Sequence, residues 1–118
     1  PSMERGMGDQ ALSTLDRVAL EPTKLSAERQ QQLSARFAAL VALLDPGARP
    51  VLLFRASPAV GPNAFALPGG TIVLIDELVA EAQHDDEILS VLAHEIGHVQ
   101  ERHTLRHVLQ TSAAGVLV

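Results

Sequence analysis

The stretch Leu89–His103, LSVLAHEIGHVQERH, decides how the rest of the chain is read. His94, Glu95, Ile96, Gly97 and His98 form an H-E-x-x-H string inside what the apolar spacing predicts to be a long helix. At about 100° per residue, His98 lies about 40° round from His94 and one turn along, so both imidazoles point the same way. Two neutral imidazoles at that spacing can take two corners of a tetrahedral zinc site. Glu95 projects about 100° from His94 on the same side, where a carboxylate can take a proton from a metal-activated water. Ile88, Leu92, Ile96 and Val99 gather on a separate stripe, about 120–200° from His94. The helix therefore has one face for a core and one convergent polar face.

With 5 His in 118 residues, the bare string arises by chance roughly once in a hundred such chains. The bland alternative is two surface histidines on an amphipathic helix. Val91, Leu92 and Ala93 ahead of the string, and a glycine inside it, argue for a built site. Gly97 is read as a place where another backbone comes close. Thr104 stands where a metzincin needs its third His, and Glu101 where it needs a Gly, so that class is excluded. His103 lies about 180° from His94, continues the apolar stripe, and is expected to be a packed histidine. Glu101, one turn beyond His98 on the metal side, is expected to face solvent or support the site from outside.

The chain length suits one domain, expected over 1–118 with an N-terminal helical segment at 1–22 and a core at 23–110. Aromatics are 3% of the residues, namely Phe37, Phe54 and Phe65, so the core must be built from Leu, Val, Ala and Ile. A net charge of −5, with no Lys/Arg cluster beyond short pairs, argues against a nucleic-acid partner. The absence of cysteine rules out disulfides and thiolate metal ligands. The first ten residues, PSMERGMGDQ, are polar and hold no apolar run of signal-peptide type. The last seven, SAAGVLV, are apolar; they suit either the opening of a membrane or interfacial segment or a buried helix end.

Leu12, Leu15 and Val18 mark one face of a short helix over 8–18, which Glu21-Pro22-Thr23 ends. Ser26 is an N-cap for a helix reaching about Leu44, with Leu33, Phe37, Leu40 and Leu44 as its apolar stripe and Asp45-Pro46-Gly47 as its stop. Val51 to Phe54 reads as a strand. Asn63 to Leu67 alternates weakly into Pro68-Gly69-Gly70, and Thr71 to Ile75 follows; that pattern predicts an antiparallel hairpin. Asp76 to Ala82 reads as a short helix capped by Asp76, with Leu78 and Val79 inward. His84 is expected in a solvated loop. Asp85, Asp86 and Glu87 open the H-E-x-x-H helix at the positive end of its dipole, and helix is expected to about Gln110. The fold class expected is α+β: a small antiparallel sheet packed on the H-E-x-x-H helix and a supporting helix.

The string VLAHEIGHVQERH, preceded by NAFALPGGTIVLIDELV, resembles the zinc metallopeptidase family of the HtpX heat-shock protease, BepA and the CAAX prenyl proteases. The likeness covers about Ala27 to Gln110 and rests on two motifs in the expected order. It implies a truncated zincin-like fold and a gluzincin site: one Zn2+ held by His94 and His98, Glu95 as the base, and a Glu from a later helix as third ligand. That ligand is expected beyond Val118, which would leave this chain inactive alone. The resemblance also implies a peptide or protein substrate added as a strand along Asn63, Ala64 and Phe65, with Phe65 equally suited to the core. It further implies a membrane-linked or cell-envelope setting. An exposed edge strand or helix face would offer a second copy a place to pair. The alternatives are a non-cleaving chaperone or binding module on the same fold, and a structural zinc domain. An intact Glu95 favours the enzyme over both.

Overall fold

The computed structural model describes residues 2–113. The elements are α1 (Ser2–Val18), β1 (Glu21–Pro22), α2 (Ala27–Leu44), β2 (Val51–Ala56), β3 (Ala64–Ala66), β4 (Thr71–Ile75), α3 (Asp76–Glu81) and α4 (Asp85–Ala113). Of the apolar tail, residues 114–118 lie outside the described residues.

The strands form one sheet in the order β1-β2-β4-β3. Ile72, Val73, Leu74 and Ile75 of β4 are buried on both faces, as their unbroken β-branched and aliphatic run requires of an inner strand. The β3–β4 hairpin is antiparallel, pairing Ala64 with Leu74 and Ala66 with Ile72. Its turn closes when the Gly70 N–H donates to the Leu67 carbonyl. Pro68 sits at the first inner position and Gly69, at φ +91°, at the second, the requirements of a type II turn.

The sheet is not purely antiparallel, which corrects the sequence expectation. β2 and β4 run parallel, with Val51 opposite Thr71 and Arg55 opposite Ile75. The chain leaves β2, swings through the 57–63 loop to the far side, and returns as β3. The hairpin then reverses it again, and two reversals make β4 parallel to β2. Ser57 anchors that crossover from a fully buried position. Its N–H donates to Glu77 Oε1 at 2.8 Å, its hydroxyl donates to the Ala19 carbonyl at 2.8 Å, and its Oγ accepts from the Val60 N–H at 3.0 Å.

Helices cover both faces. On one, α2 and α4 pack through Leu33, Phe37, Ile88, Leu92, Ile96 and Val99 onto Phe54, Ile72 and Leu74. On the other, Leu12 and Leu15 of α1 pack on Leu20, Leu67, Val73 and Ile75. The Ser26 cap holds, its Oγ accepting from the Arg29 N–H at 3.1 Å. The buried stripe of α2 is Leu33, Phe37 and Val41, a strict i+4 row, so Leu44 falls outside it and is exposed. Asp76 does not cap α3. Its carboxylate instead accepts from Thr23 Oγ1 at 2.6 Å and the Lys24 N–H at 2.7 Å, pinning the chain between β1 and α2.

Candidate active site

Burial of Ile88, Leu92, Ile96 and Val99 against the sheet fixes the rotation of α4 and turns His94 and His98 outward. Their Nε2 atoms lie 3.0 Å apart, within hydrogen-bonding reach for neutral rings of complementary tautomer. The rings meet edge to face at a centroid distance of 4.5 Å. Glu95 is half-buried beside them, and one ligand atom from each of the three residues lies within 4.8 Å of the others. Imidazoles bound tetrahedrally to one zinc at about 2.0–2.1 Å hold their nitrogens about 3.3 Å apart. Ring adjustments of a few tenths of an ångström reach that spacing, so the donor set fits a metal ion.

α4 runs beside β3, the end strand of the sheet. The Asn63 carbonyl accepts from the Ile75 N–H, and the Leu67 N–H donates to the Thr71 carbonyl. These two residues therefore turn towards β4, as does Phe65 between them, and by alternation Ala64 and Ala66 turn their N–H and C=O groups to the open side. The Ala64 N–H is covered by its neighbour, donating to Asn63 Oδ1 at 2.8 Å. A recess of about 300 Å³ joins this edge to the cluster, lined by Phe65, Ala66, Glu95, His98, Glu101, Arg102 and Leu105.

The structure thus brings His94, Glu95 and His98 together and sets Phe65 beside them. Phe65 is half-buried, and its side chain packs on the α1-side core, on the opposite face of β3 from Ala64 and Ala66. Asn63 and Ala64 flank the edge without lining the recess; the Ala64 side chain is core. Ala66, Arg102 and Leu105 were missed as site neighbours, although His98, Glu101, Arg102 and Leu105 follow 3–4-residue spacing along one helix side. His103 is exposed, not packed: the apolar stripe ends at Val99, where the sheet ends, and His103 lines a separate cleft with Gly70 and Val99. Glu101 and His84 are exposed, as expected.

Asp85 does more than open α4. It takes a forked pair from Arg29 of α2, Nη1 at 2.9 Å and Nη2 at 2.6 Å, with Arg36 Nη1 at 3.4 Å. The hydrogen bond from Arg29 holds the Asp85 carboxyl below its ordinary range, and the same bond raises the Arg29 guanidinium. This clamp ties the start of the site helix to its supporting helix.

Residues 27–118 match peptidase family M48. Among similar proteins, the mitochondrial metalloendopeptidase OMA1 of Saccharomyces cerevisiae is 41% identical over 51 residues, 43% of this chain and 15% of its own length. A protease HtpX homolog of Pyrococcus abyssi is 38% identical over 64 residues, 52% of this chain and 22% of its own. A putative beta-barrel assembly-enhancing protease of Vibrio cholerae is 50% identical over 44 residues, 37% of this chain and 9% of its own. The matched stretch is thus less than a quarter of each relative. With the family match spanning both α2 and the H-E-x-x-H helix, the chain belongs to peptidase family M48.

Proposed function

We propose that this chain is the part of a zinc-dependent metalloendopeptidase that carries two metal ligands, the base and the substrate-binding edge. The observation that carries the reading is the His94–His98 nitrogen pair at 3.0 Å, with Glu95 beside it, facing the free edge of β3. His94 and His98 would hold the metal through neutral nitrogens. A bound zinc ion supplies Lewis acidity to a water and to the scissile carbonyl. Glu95 takes the proton from the attacking water and passes it to the leaving amine. Substrate is a protein or peptide in extended form, its main chain pairing with Ala64 and Ala66 and its side chains free to vary. Asn63, Ala64 and Phe65 are the residues first assigned to that grip, and Ala66 joins them.

A third protein ligand completes the metal site in this reading, and it comes from outside the described residues. A membrane-linked role in protein quality control has the family resemblance and the relatives' names in its favour. Among the described residues no helix is long and apolar enough to cross a membrane.

The test is Glu95→Gln in the zinc-loaded protein with its third ligand in place. Zinc content is expected to stay while hydrolysis of a casein-type substrate falls by about two orders of magnitude or more. Unchanged turnover at equal zinc occupancy would sink the assignment and favour a base elsewhere. Peptide binding without Glu95-dependent hydrolysis would favour the non-cleaving module.

A further inference from the structure

We propose that α1 is a positioning brace for the substrate-binding edge: through Gly8 it seats the Pro68-Gly69-Gly70 turn, and the turn sets where β3 stands relative to the metal face of α4. The inference rests on the peptidase reading and adds to it an element that lies ahead of the matched residues 27–118.

β3 has few holds of its own. It is a three-residue end strand paired with β4. The side chains it turns towards the α4 side are Ala64 and Ala66. Single methyl groups let the strand come close to the helix but interlock little with it. Its one large side chain, Phe65, lies on the other face with Leu12 and Leu15 of α1.

The firmer contact is at the turn. A Cβ on Gly8 would stand 2.0 Å from the Pro68 carbonyl oxygen, and one on Gly69 would stand 3.0 Å from Arg5 Cα. Backbone therefore rests on backbone, with no rotatable side chain between to absorb a shift. On its other side the turn meets the site helix, where a Cβ on Gly70 would stand 3.8 Å from Cγ1 of Val99, the neighbour of His98. The turn is thus held between α1 and α4.

That seating bears on binding. A hairpin freed from α1 samples several positions, and only those with β3 against α4 bring a paired peptide over His94, Glu95 and His98. Apparent affinity then falls with the competent fraction. The bound peptide still meets an unchanged metal face, because those three residues stand on α4, across the sheet from α1. A brace therefore acts on KM and leaves kcat alone.

The test compares Gly8→Ala with Gly6→Ala, which adds the same methyl group to open space, and with Val41→Ala, which weakens the α2 core away from α1. Amide exchange is followed in each chain, and a blocked alanine pentapeptide with a central leucine is titrated with the Ala66 amide as NMR reporter. The N–H groups of Leu67 and Ile75 hold β3 to β4. Gly8→Ala is expected to speed their exchange about tenfold, leave Leu92 and Ile96 protected, and weaken the peptide about fivefold. Gly6→Ala should change neither quantity. Val41→Ala should lower the melting temperature with peptide affinity kept. Leu12→Ala loosens α1 without a collision and should reproduce the Gly8→Ala pattern, so a poorly folding Gly8→Ala does not end the test. In the zinc-loaded protein with its third ligand, KM should rise about fivefold with kcat within about twofold of the parent. Hairpin exchange and affinity indifferent to both α1 variants, or an equal loss of affinity in Val41→Ala, would overturn the brace. Faster hairpin exchange in Gly8→Ala, with peptide binding to none of the chains, would overturn the edge of the peptidase reading and leave the brace standing.

Discussion

Two glycines that look alike in the sequence carry opposite consequences. Gly8 is buried where α1 crosses the hairpin turn, and a Cβ there would collide with the Pro68 carbonyl oxygen. Gly6, two residues earlier and on the other side of the same helix, has nothing within 4 Å. Gly8→Ala is therefore expected to cost about 1–3 kcal/mol through displacement of α1 from the turn. Gly6→Ala should gain about 0.5–1 kcal/mol from helix propensity alone. Thermal melts of the two variants should move in opposite directions; equal shifts would mean that α1 is not seated on Pro68. Gly97 belongs with Gly6. The sequence suggested a close backbone approach inside the H-E-x-x-H string, but a Cβ there meets nothing within 4 Å among the described residues. Gly97→Ala should likewise raise the melting temperature of this chain. A glycine's presence is legible in sequence, whereas the neighbour that makes it necessary is set by tertiary approach.

At the scale of elements, periodicity recovered the helices, because burial of Leu33, Phe37, Leu92 and Ile96 is written at 3–4-residue spacing. Strand pairing was recovered only where a local turn dictates it, at Pro68-Gly69. The parallel β2–β4 pair is created by a crossover, and no local signal marks one. The Arg29–Asp85 clamp was equally hidden, since its partners are 56 residues apart. Its pH dependence follows from the sign of the shift. A carboxyl lowered in the folded state adds stability that is fully present above its unfolded pKa of about 3.9. That stability is lost as pH falls through the lower folded value. Asp85→Asn should thus reduce stability at pH 7 by about 1 kcal/mol, and the difference from the parent should shrink below about pH 4. A gap that persists at pH 2 would assign the effect to packing and not to charge. The edge of β3 makes a second expectation. The Ala66 amide should exchange with solvent faster than those of Phe65 and Leu67, and Asn63→Ala should speed exchange at Ala64 by removing its cover. Equal protection of all these amides would mean that the edge is closed.

At the scale of the whole molecule, the convergence of the candidate site was the most legible feature, because His94, Glu95 and His98 lie within five positions on one helix and need only helical geometry to meet. Its boundary is what the sequence left open, since the recess and the edge strand depend on how the sheet meets α4. Completeness is the remaining question, and it yields the last expectation. Among the described residues the only group able to hold a metal is His94, Glu95 and His98. Catalytic zinc sites take three protein ligands and one open position. If Glu95 is the base, two ligands remain, and both are exposed imidazoles with water competing at every other corner. This 118-residue chain should then bind zinc weakly and hydrolyse no casein, although its motif is intact. Titration of zinc into the chain, with the Glu95→Gln variant alongside, checks this directly. Weak binding that is indifferent to Glu95→Gln would agree with a third ligand supplied from elsewhere. Tight one-to-one binding lost in that variant would make Glu95 a ligand. Tight binding that survives it, with Glu95-dependent cleavage, would place the third ligand inside these residues, with Glu101 a carboxylate to re-examine because it lines the same recess as Glu95 and His98.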